Sequence, residues 1–132
     1  MNFYQDLVRI EGLLRDQGHD VFIPQSAKVM KEKNDYEVSH VKGVLSYAER
    51  AQLIKKNFEE IRESDAILVI NNDKNGMKNY IGPNVLMEIA LAFYFNKKIY
   101  ILNPIQPDSP YLEELRCFGV QEINGDLEKI HA

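Results

Sequence analysis

The sequence predicts an α/β protein in which helices cover both faces of a parallel sheet. Helical segments alternate along the chain with short strand-like runs, the order typical of β-α-β units. Two of these runs, residues 66–70 and 98–102, are almost entirely apolar, as are strands that a parallel sheet buries on both faces. A chain of 132 residues can form one hydrophobic core without disulfides. We therefore expect one α/β domain over residues 1–132.

The individual elements follow from the spacing of the apolar residues. In residues 2–17 they recur at helical spacing, and Gly18 suits a C-terminal cap. The predicted helices cover residues 2–17, 45–63, 83–95 and 111–117. The predicted strands cover residues 20–23, 66–70, 98–102 and 120–123, the last of them at a sheet edge. Residues 25–43 are polar without clear periodicity, which predicts a loop with room for a helical turn.

Composition excludes several classes of function. The net charge is −4 and no basic cluster is present, which disfavours a nucleic-acid polymer as partner. No apolar run is long enough to span a bilayer, so we expect no membrane partner. The single cysteine, Cys117, fits a reducing cytoplasm and is expected to be packed. His19, His40 and His131 lack ligand-like spacing, so no metal or other cofactor is expected.

One carboxylate stands out in the apolar helix. Pro83, following Gly82, marks the first turn of this helix, and Glu88 falls in the second turn. An unpaired charge among apolar neighbours is costly to bury, so Glu88 is either a functional residue or one half of a structural ion pair. We expect the positive end of the helix dipole to favour its ionised form. An ionised carboxylate in a partly dry cleft can act as a nucleophile or base.

Polar residues lie where the predicted strands end. In parallel sheets, ligands bind beyond the carboxyl ends of the strands. Asp73, with Asn71 and Asn72, follows the strand of residues 66–70 and suits contacts with a sugar hydroxyl or a base. The same residue types are favoured by any turn. Asn103 follows the next predicted strand and is assigned to the same edge.

Two further residues lie close to the start of the apolar helix. Tyr80 suits stacking on a base or packing across the loop. Asn84 suits contact with an anionic substrate or a role in the helix cap. The apolar helix itself, in so small a domain, is expected to bury one face against a second copy of the chain, as in a homodimer.

The chain opens with a helix, whereas a doubly wound domain normally opens with a central strand. Loss of a central strand removes the hydrogen-bond partners of two neighbours. Two expectations follow. Either Met1 is an internal methionine of a longer natural chain, or the remaining strands close up in a different arrangement.

Two segments resemble the nucleoside 2-deoxyribosyltransferase superfamily. They are ESDAILVINN at residues 63–72 and YIGPNVLMEIALA at residues 80–92, with weaker similarity in MNFY at residues 1–4 and GHDVFIP at residues 18–24. The resemblance implies a flavodoxin-like fold and cleavage or transfer of the N-glycosidic bond of (deoxy)nucleosides, or of their 5′-monophosphates in some members. It implies that Glu88 is the nucleophile, which attacks the anomeric carbon and forms a glycosyl-enzyme intermediate. The residues then expected to bind the nucleoside or nucleotide substrate are Asn72, Asp73, Tyr80, Gly82, Asn84 and Asn103.

The sequence departs from that family in two places. The best-known transferases carry an acidic residue six positions before the nucleophile, where this chain has Gly82. The family's first strand, with its ligand-contacting loop, has no counterpart here. An alternative is therefore a catalytically impaired nucleotide-binding module on the same scaffold. A third interpretation, a flavin-binding redox domain, is disfavoured because the phosphate-binding first loop is missing.

Overall fold

The computed structural model describes residues 2–42 and 45–131. It confirms the α/β class, with a three-stranded parallel sheet and helices. The chain divides into two compact units, Met1–Glu60 and Ile61–Ala132. The single domain expected over residues 1–132 stays a prediction. In the part of the chain described, no helix has both the length and the apolar character to cross a bilayer.

The first unit is built from helices. They are α1 (Phe3–Asp16), α2 (Gln25–Lys33), α3 (Ser39–Lys42) and most of α4 (Tyr47–Glu63). The predictions for residues 2–17 and 45–63 are confirmed. Helix α1 begins with a capping box, in which the Asn2 side chain accepts from the Gln5 backbone N–H and the Gln5 side chain accepts from the Asn2 N–H. These two bonds satisfy backbone donors that the first turn leaves open.

Two expectations for the first unit are wrong. Residues 20–23 form no strand: they are not part of a β-ladder. Three consecutive strand-forming residues, Val21, Phe22 and Ile23, favour a strand. A strand also needs a partner for its backbone groups, which the local pattern does not reveal. Residues 25–43 contain two helices rather than a loop. Helix α2 buries Ala27 and Met30 completely, a helical spacing of three residues that the surrounding polar residues obscured.

Helices α1 and α2 are joined by a buried carboxylate. Glu11 is only 4% exposed. Its Oε1 accepts from Lys31 Nζ at 2.9 Å and its Oε2 accepts from Arg15 Nη2 at 3.2 Å. Both cations remain about half exposed, so the carboxylate is paired while its partners keep contact with water. An open depression of about 420 Å³ lies beside this cluster.

The second unit contains the sheet. Its elements are β1 (Ala66–Val69), α5 (Pro83–Tyr94), β2 (Lys98–Ile101), α6 (Leu112–Cys117), β3 (Gln121–Glu122) and a 3₁₀ turn (Leu127–Lys129). The strands pair in parallel in the order β1-β2-β3. The predictions for residues 66–70, 83–95, 98–102, 111–117 and 120–123 are confirmed to within a few residues. Cys117, expected to be packed, is exposed instead, because α6 buries Leu115 and ends at Cys117.

The core of the second unit lies around β2. Three side chains that are almost fully buried are Ile89 on α5 and Ile99 and Ile101 on β2, and α5 packs against both β1 and β2. Strand β1 is less buried than predicted, since Val69 alone among its residues is buried. Within the described chain β1 pairs only with β2, which makes it an edge of this sheet.

Candidate functional site

Glu88 lies on α5, which starts at the carboxyl edge of the sheet. The loop after β1 leads to Gly82, the N-cap residue, whose φ of −81° and ψ of 170° are extended backbone. Pro83 occupies the first helical position, where its fixed φ suits a helix and its missing N–H costs nothing. Glu88 follows in the second turn. Its neighbour Ile89 is buried and its other neighbour Met87 is exposed, so Glu88 falls at the boundary between core and surface.

The Glu88 carboxylate is half-buried and makes no hydrogen bond or ion pair with any residue the structure describes. Burial raises the pKa of Glu88 above its ordinary value, because desolvation penalises the charged form. Desolvation therefore opposes the stabilisation of the ionised form that we expect from the helix dipole. The dipole acts mainly within the first turn of a helix, and Glu88 lies beyond that turn.

Two asparagines join the ends of β1 and β2. Asn71 Oδ1 accepts from the Asn103 backbone N–H at 2.8 Å, and Asn71 Nδ2 donates to the Asn103 carbonyl at 2.8 Å. In return, Asn103 Nδ2 donates to the Asn71 carbonyl at 3.1 Å. Asn71 is fully buried, and Asn103 is half-buried. We call this arrangement the asparagine pair.

The loop between β1 and α5 is braced by its own polar groups. A tight turn pairs Lys74 with Met77, with Asn75 and Gly76 in the left-handed region between them. Asp73 Oδ1 accepts from the Asn79 backbone N–H at 2.9 Å. The Asn79 side chain donates to the Pro104 carbonyl at 2.9 Å. One oxygen of the Asp73 carboxylate thus stabilises the loop conformation, although the residue as a whole is exposed.

Tyr80 packs across this loop toward the helix start. Its backbone N–H donates to the Asn72 carbonyl at 3.2 Å. Its ring lies against Gly82, where an added Cβ would sit 3.4 Å from the ring. Lys74 Nζ lies 5.6 Å from the ring centroid, close enough for a cation–π contact. Tyr80 is half-buried, so packing already occupies part of the ring.

The candidate residues form one network and two outliers. Two loops, one after β1 and one after β2, are joined by hydrogen bonds from the side chains of Asn71 and Asn79. These loops contain the candidate residues Asn72, Asp73, Tyr80, Gly82 and Asn103. Asn84 is exposed in the first turn of α5, and neither it nor Glu88 is hydrogen-bonded to that network within the described residues. Across the same residues, no group of three or more His, Cys, Asp or Glu side chains could hold a metal ion.

Sequence reasoning missed the role of Asn71, although a signal existed. In the ladder, Ala66 pairs with Lys98 and Val69 with Ile101. Carrying that register two residues further places residue 71 opposite residue 103. Two asparagines at matching positions beyond adjacent parallel strands are therefore a recognisable cue for cross-strand amide pairing.

These features define a class: an α/β protein whose second unit presents polar residues at the carboxyl edge of a small parallel sheet and carries a half-buried glutamate in the second turn of the helix between β1 and β2. A scan of family models, a search of curated proteins and a search of solved structures each found no match to the chain.

Proposed function

We propose that the chain cleaves or transfers the N-glycosidic bond of (deoxy)nucleosides or their 5′-monophosphates, with Glu88 as nucleophile, on a flavodoxin-like scaffold. The observation that carries this proposal is the state of the Glu88 carboxylate, which is half-buried and without an ion-pair partner in the described residues. A structural ion pair was the main alternative explanation for a carboxylate in this helix. The resemblance of residues 63–72 and 80–92 to nucleoside 2-deoxyribosyltransferases adds the reaction class.

The proposed chemistry proceeds in two steps. The ionised Glu88 attacks the anomeric carbon as the bond to the base nitrogen breaks, and the electron pair of that bond leaves with the base, which takes up a proton. A second base or water then attacks the glycosyl-enzyme and releases Glu88. A negative charge on one face of the sugar stabilises the oxocarbenium-like transition state. Desolvation makes an ionised carboxylate more reactive but also less abundant, since the pKa of Glu88 is raised.

The loop residues supply the proposed substrate contacts. We assign sugar or base contacts to Asn72, Asp73, Tyr80, Gly82, Asn84 and Asn103. Asp73 has one carboxylate oxygen engaged with Asn79, which leaves the other oxygen for a substrate hydroxyl. At Gly82 the missing side chain lets the Tyr80 ring lie close to the backbone, and Tyr80 presents its remaining exposed area to a base.

The test is release of free base from a panel of nucleosides and 5′-monophosphates. We expect the wild-type protein to release base and Glu88→Gln to do so at least about a thousandfold more slowly, because the nucleophile is gone. Glu113→Gln, an exposed glutamate on α6, is the matched control and should retain wild-type rates. Full activity of Glu88→Gln with an intact circular dichroism spectrum would end the proposal.

The second candidate is a nucleotide-binding module without catalysis. It is favoured by Gly82, which provides no carboxylate six residues before Glu88. This candidate predicts binding of nucleotides with no base release from any panel member. Titration of the panel beside the release assay separates the two candidates.

We further propose that the chain forms a homodimer through α5 and acts in the cytoplasm. Met87 and Tyr94, seven residues apart on one side of α5, are 50% and 77% exposed, which is unusual for large apolar side chains in a helix this hydrophobic. Met87→Lys should shift the protein toward monomer in sedimentation velocity, whereas Lys97→Glu, beyond the end of α5, should not. A monomeric wild-type protein at all concentrations would refute the dimer.

A further inference from the structure

The asparagine pair has only one arrangement that satisfies its hydrogen bonds. The Asn103 backbone N–H needs an acceptor, so Asn71 Oδ1 faces it, and Asn71 Nδ2 then faces the Asn103 carbonyl. The Asn71 carbonyl needs a donor, so the nearest Asn103 side-chain atom is Nδ2. Rotating either amide by 180° would place two oxygens or two N–H groups against each other.

This arrangement leaves one side-chain atom of the pair without a partner. Asn71 is fully buried and uses both its amide atoms. Asn103 commits Nδ2 to the Asn71 carbonyl, while its Oδ1 has no hydrogen bond to any residue that the structure describes. The bond from one N–H of Nδ2 fixes the plane of the Asn103 amide, and Oδ1 is then the side-chain atom left entirely to a ligand, as an acceptor.

The place of Asn103 makes that oxygen relevant to a ligand. Asn103 follows β2, and Asn71 follows the neighbouring parallel strand β1. The loop after β1 leads directly to the start of α5. All three features therefore share the carboxyl edge of the sheet, where α/β proteins bind ligands.

We infer that Asn103 Oδ1 selects substrates by accepting a hydrogen bond from an O–H or N–H group, and that Asn71 is the positioning residue that fixes Asn103 for this task. The inference deepens the proposed function and rests on it for the substrate class, a nucleoside or nucleotide. In adenosine, the sugar hydroxyls and the exocyclic amino group of the base supply such a donor. A ligand that places only acceptor atoms at this position would bind more weakly, because two acceptor atoms repel each other at Asn103 Oδ1.

The expected discrimination is about fivefold. A hydrogen bond between neutral groups contributes about 1 kcal/mol net, and a tenfold change in affinity would need about 1.4 kcal/mol. The half-buried position of Asn103 argues against the much larger rejection that a fully enclosed site achieves.

The experiment measures ligand binding by calorimetry in the Glu88→Gln background, so that no substrate is consumed. The panel is adenosine, 2′-deoxyadenosine, 3′-deoxyadenosine and purine riboside, each analogue lacking a single donor. We expect one analogue to bind about fivefold more weakly than adenosine. A deoxy analogue identifies the sugar hydroxyl as the donor, and purine riboside identifies the amino group.

Three further variants assign the effect. Asn103→Leu should abolish the discrimination, and Asn103→Asp should reduce it, because a carboxylate oxygen would face the Asn71 carbonyl in place of Nδ2 and the side chain would lose its fixed position. Asn71→Ala should reduce the discrimination while leaving binding of the donor-lacking analogue nearly unchanged. A merely structural role of Asn71 would instead weaken every ligand equally. Asn96→Gly, beyond the far end of α5 with a φ of 59° that glycine tolerates, is the control.

The outcomes separate this inference from the proposed function. Unchanged discrimination in Asn103→Leu, or equal binding of all four ligands, would overturn the inference even if the wild-type protein releases base. Absence of binding by every panel member, with no base release from the wild type, would overturn both.

Discussion

Replacing Asn71 with leucine should destabilise the second unit strongly, although the leucine side chain branches at Cγ as asparagine does. The Asn71 side chain makes two hydrogen bonds of 2.8 Å to the backbone of Asn103. Leucine can make neither. Asn71→Leu therefore leaves the Asn103 N–H and carbonyl without these partners at a largely buried position.

The magnitude follows from the two groups left unpaired. Each buried polar group without a partner costs about 1–3 kcal/mol, so two cost about 2–6 kcal/mol. Asn103 is half-buried, so water recovers part of this cost, and the leucine side chain buries more apolar surface. We expect a loss of about 3 kcal/mol in the free energy of unfolding of the second unit.

Native-state hydrogen exchange measures this loss in the free energy of unfolding at individual backbone N–H groups. The Leu102 backbone N–H donates to the Val69 carbonyl at 2.9 Å, directly beside the asparagine pair. A loss of about 3 kcal/mol should speed its exchange roughly 100-fold. Asn79→Gly is the matched control, because it removes a single bond to the Pro104 carbonyl and glycine accepts the φ of 51° at this position. The control should cost less than about 1 kcal/mol.

A result within about 0.5 kcal/mol of the Asn79→Gly control would refute this reasoning. It would mean that the backbone hydrogen bonds of the ladder alone hold the ends of β1 and β2 together. The hydrogen bonds of the asparagine pair would then be no more stable than hydrogen bonds from the same groups to water.

The remaining predictions concern two carboxylates, the half-buried Glu88 and the buried, ion-paired Glu11. Because the pKa of Glu88 is raised, the folded protein binds more protons than the unfolded chain between the ordinary and the raised pKa. The urea midpoint of unfolding should therefore fall as pH rises through that window, and the midpoint of Glu88→Gln should not. If the midpoints of the two proteins changed with pH in the same way, the raised pKa of Glu88 would be contradicted. For the same reason base release should rise with pH through the raised pKa, and a rate that falls there would exclude an ionised nucleophile. In the first unit, Glu11→Ala should lower the free energy of unfolding by about 2 kcal/mol. This is less than for a fully buried ion pair, because Arg15 and Lys31 are already half exposed and regain water. Thermal unfolding should show no such loss for the control Glu32→Ala, whose side chain is exposed.

Elements with strong local signals were predictable from the sequence. Helix α5 and strands β1 and β2 are continuous apolar runs whose element type follows from their composition and length, although β1 is less buried than its composition predicts. The predicted strand at residues 20–23 failed because a strand depends on a partner elsewhere in the chain. Val21, Phe22 and Ile23 are strand-forming residues, but the Val21 carbonyl accepts from Arg15 Nη2 rather than from a neighbouring strand. Helix α2 was missed because only a few of its side chains are buried.

The candidate site was predictable in outline only. The positions of Glu88 and of the polar loop after β1 follow from element order. The direction of the Glu88 pKa shift does not, because it depends on how far the surrounding fold removes water from the carboxylate. The pairing of Asn71 with Asn103 depends on the exact register of two strands, and a polar residue after a strand otherwise suggests nothing more than a turn.

The register of the sheet also has a consequence for synthesis. Each β1 residue pairs with a β2 residue 32 positions later, as Ala66 does with Lys98. At a translation speed of about 5–20 residues per second, β2 emerges from the ribosome about 2–6 s after β1. During that interval an uncharged, β-prone run is available to other nascent copies. The flanking Glu63 and Asp65 on one side and Asp73 and Lys74 on the other are placed to act as gatekeepers against such association.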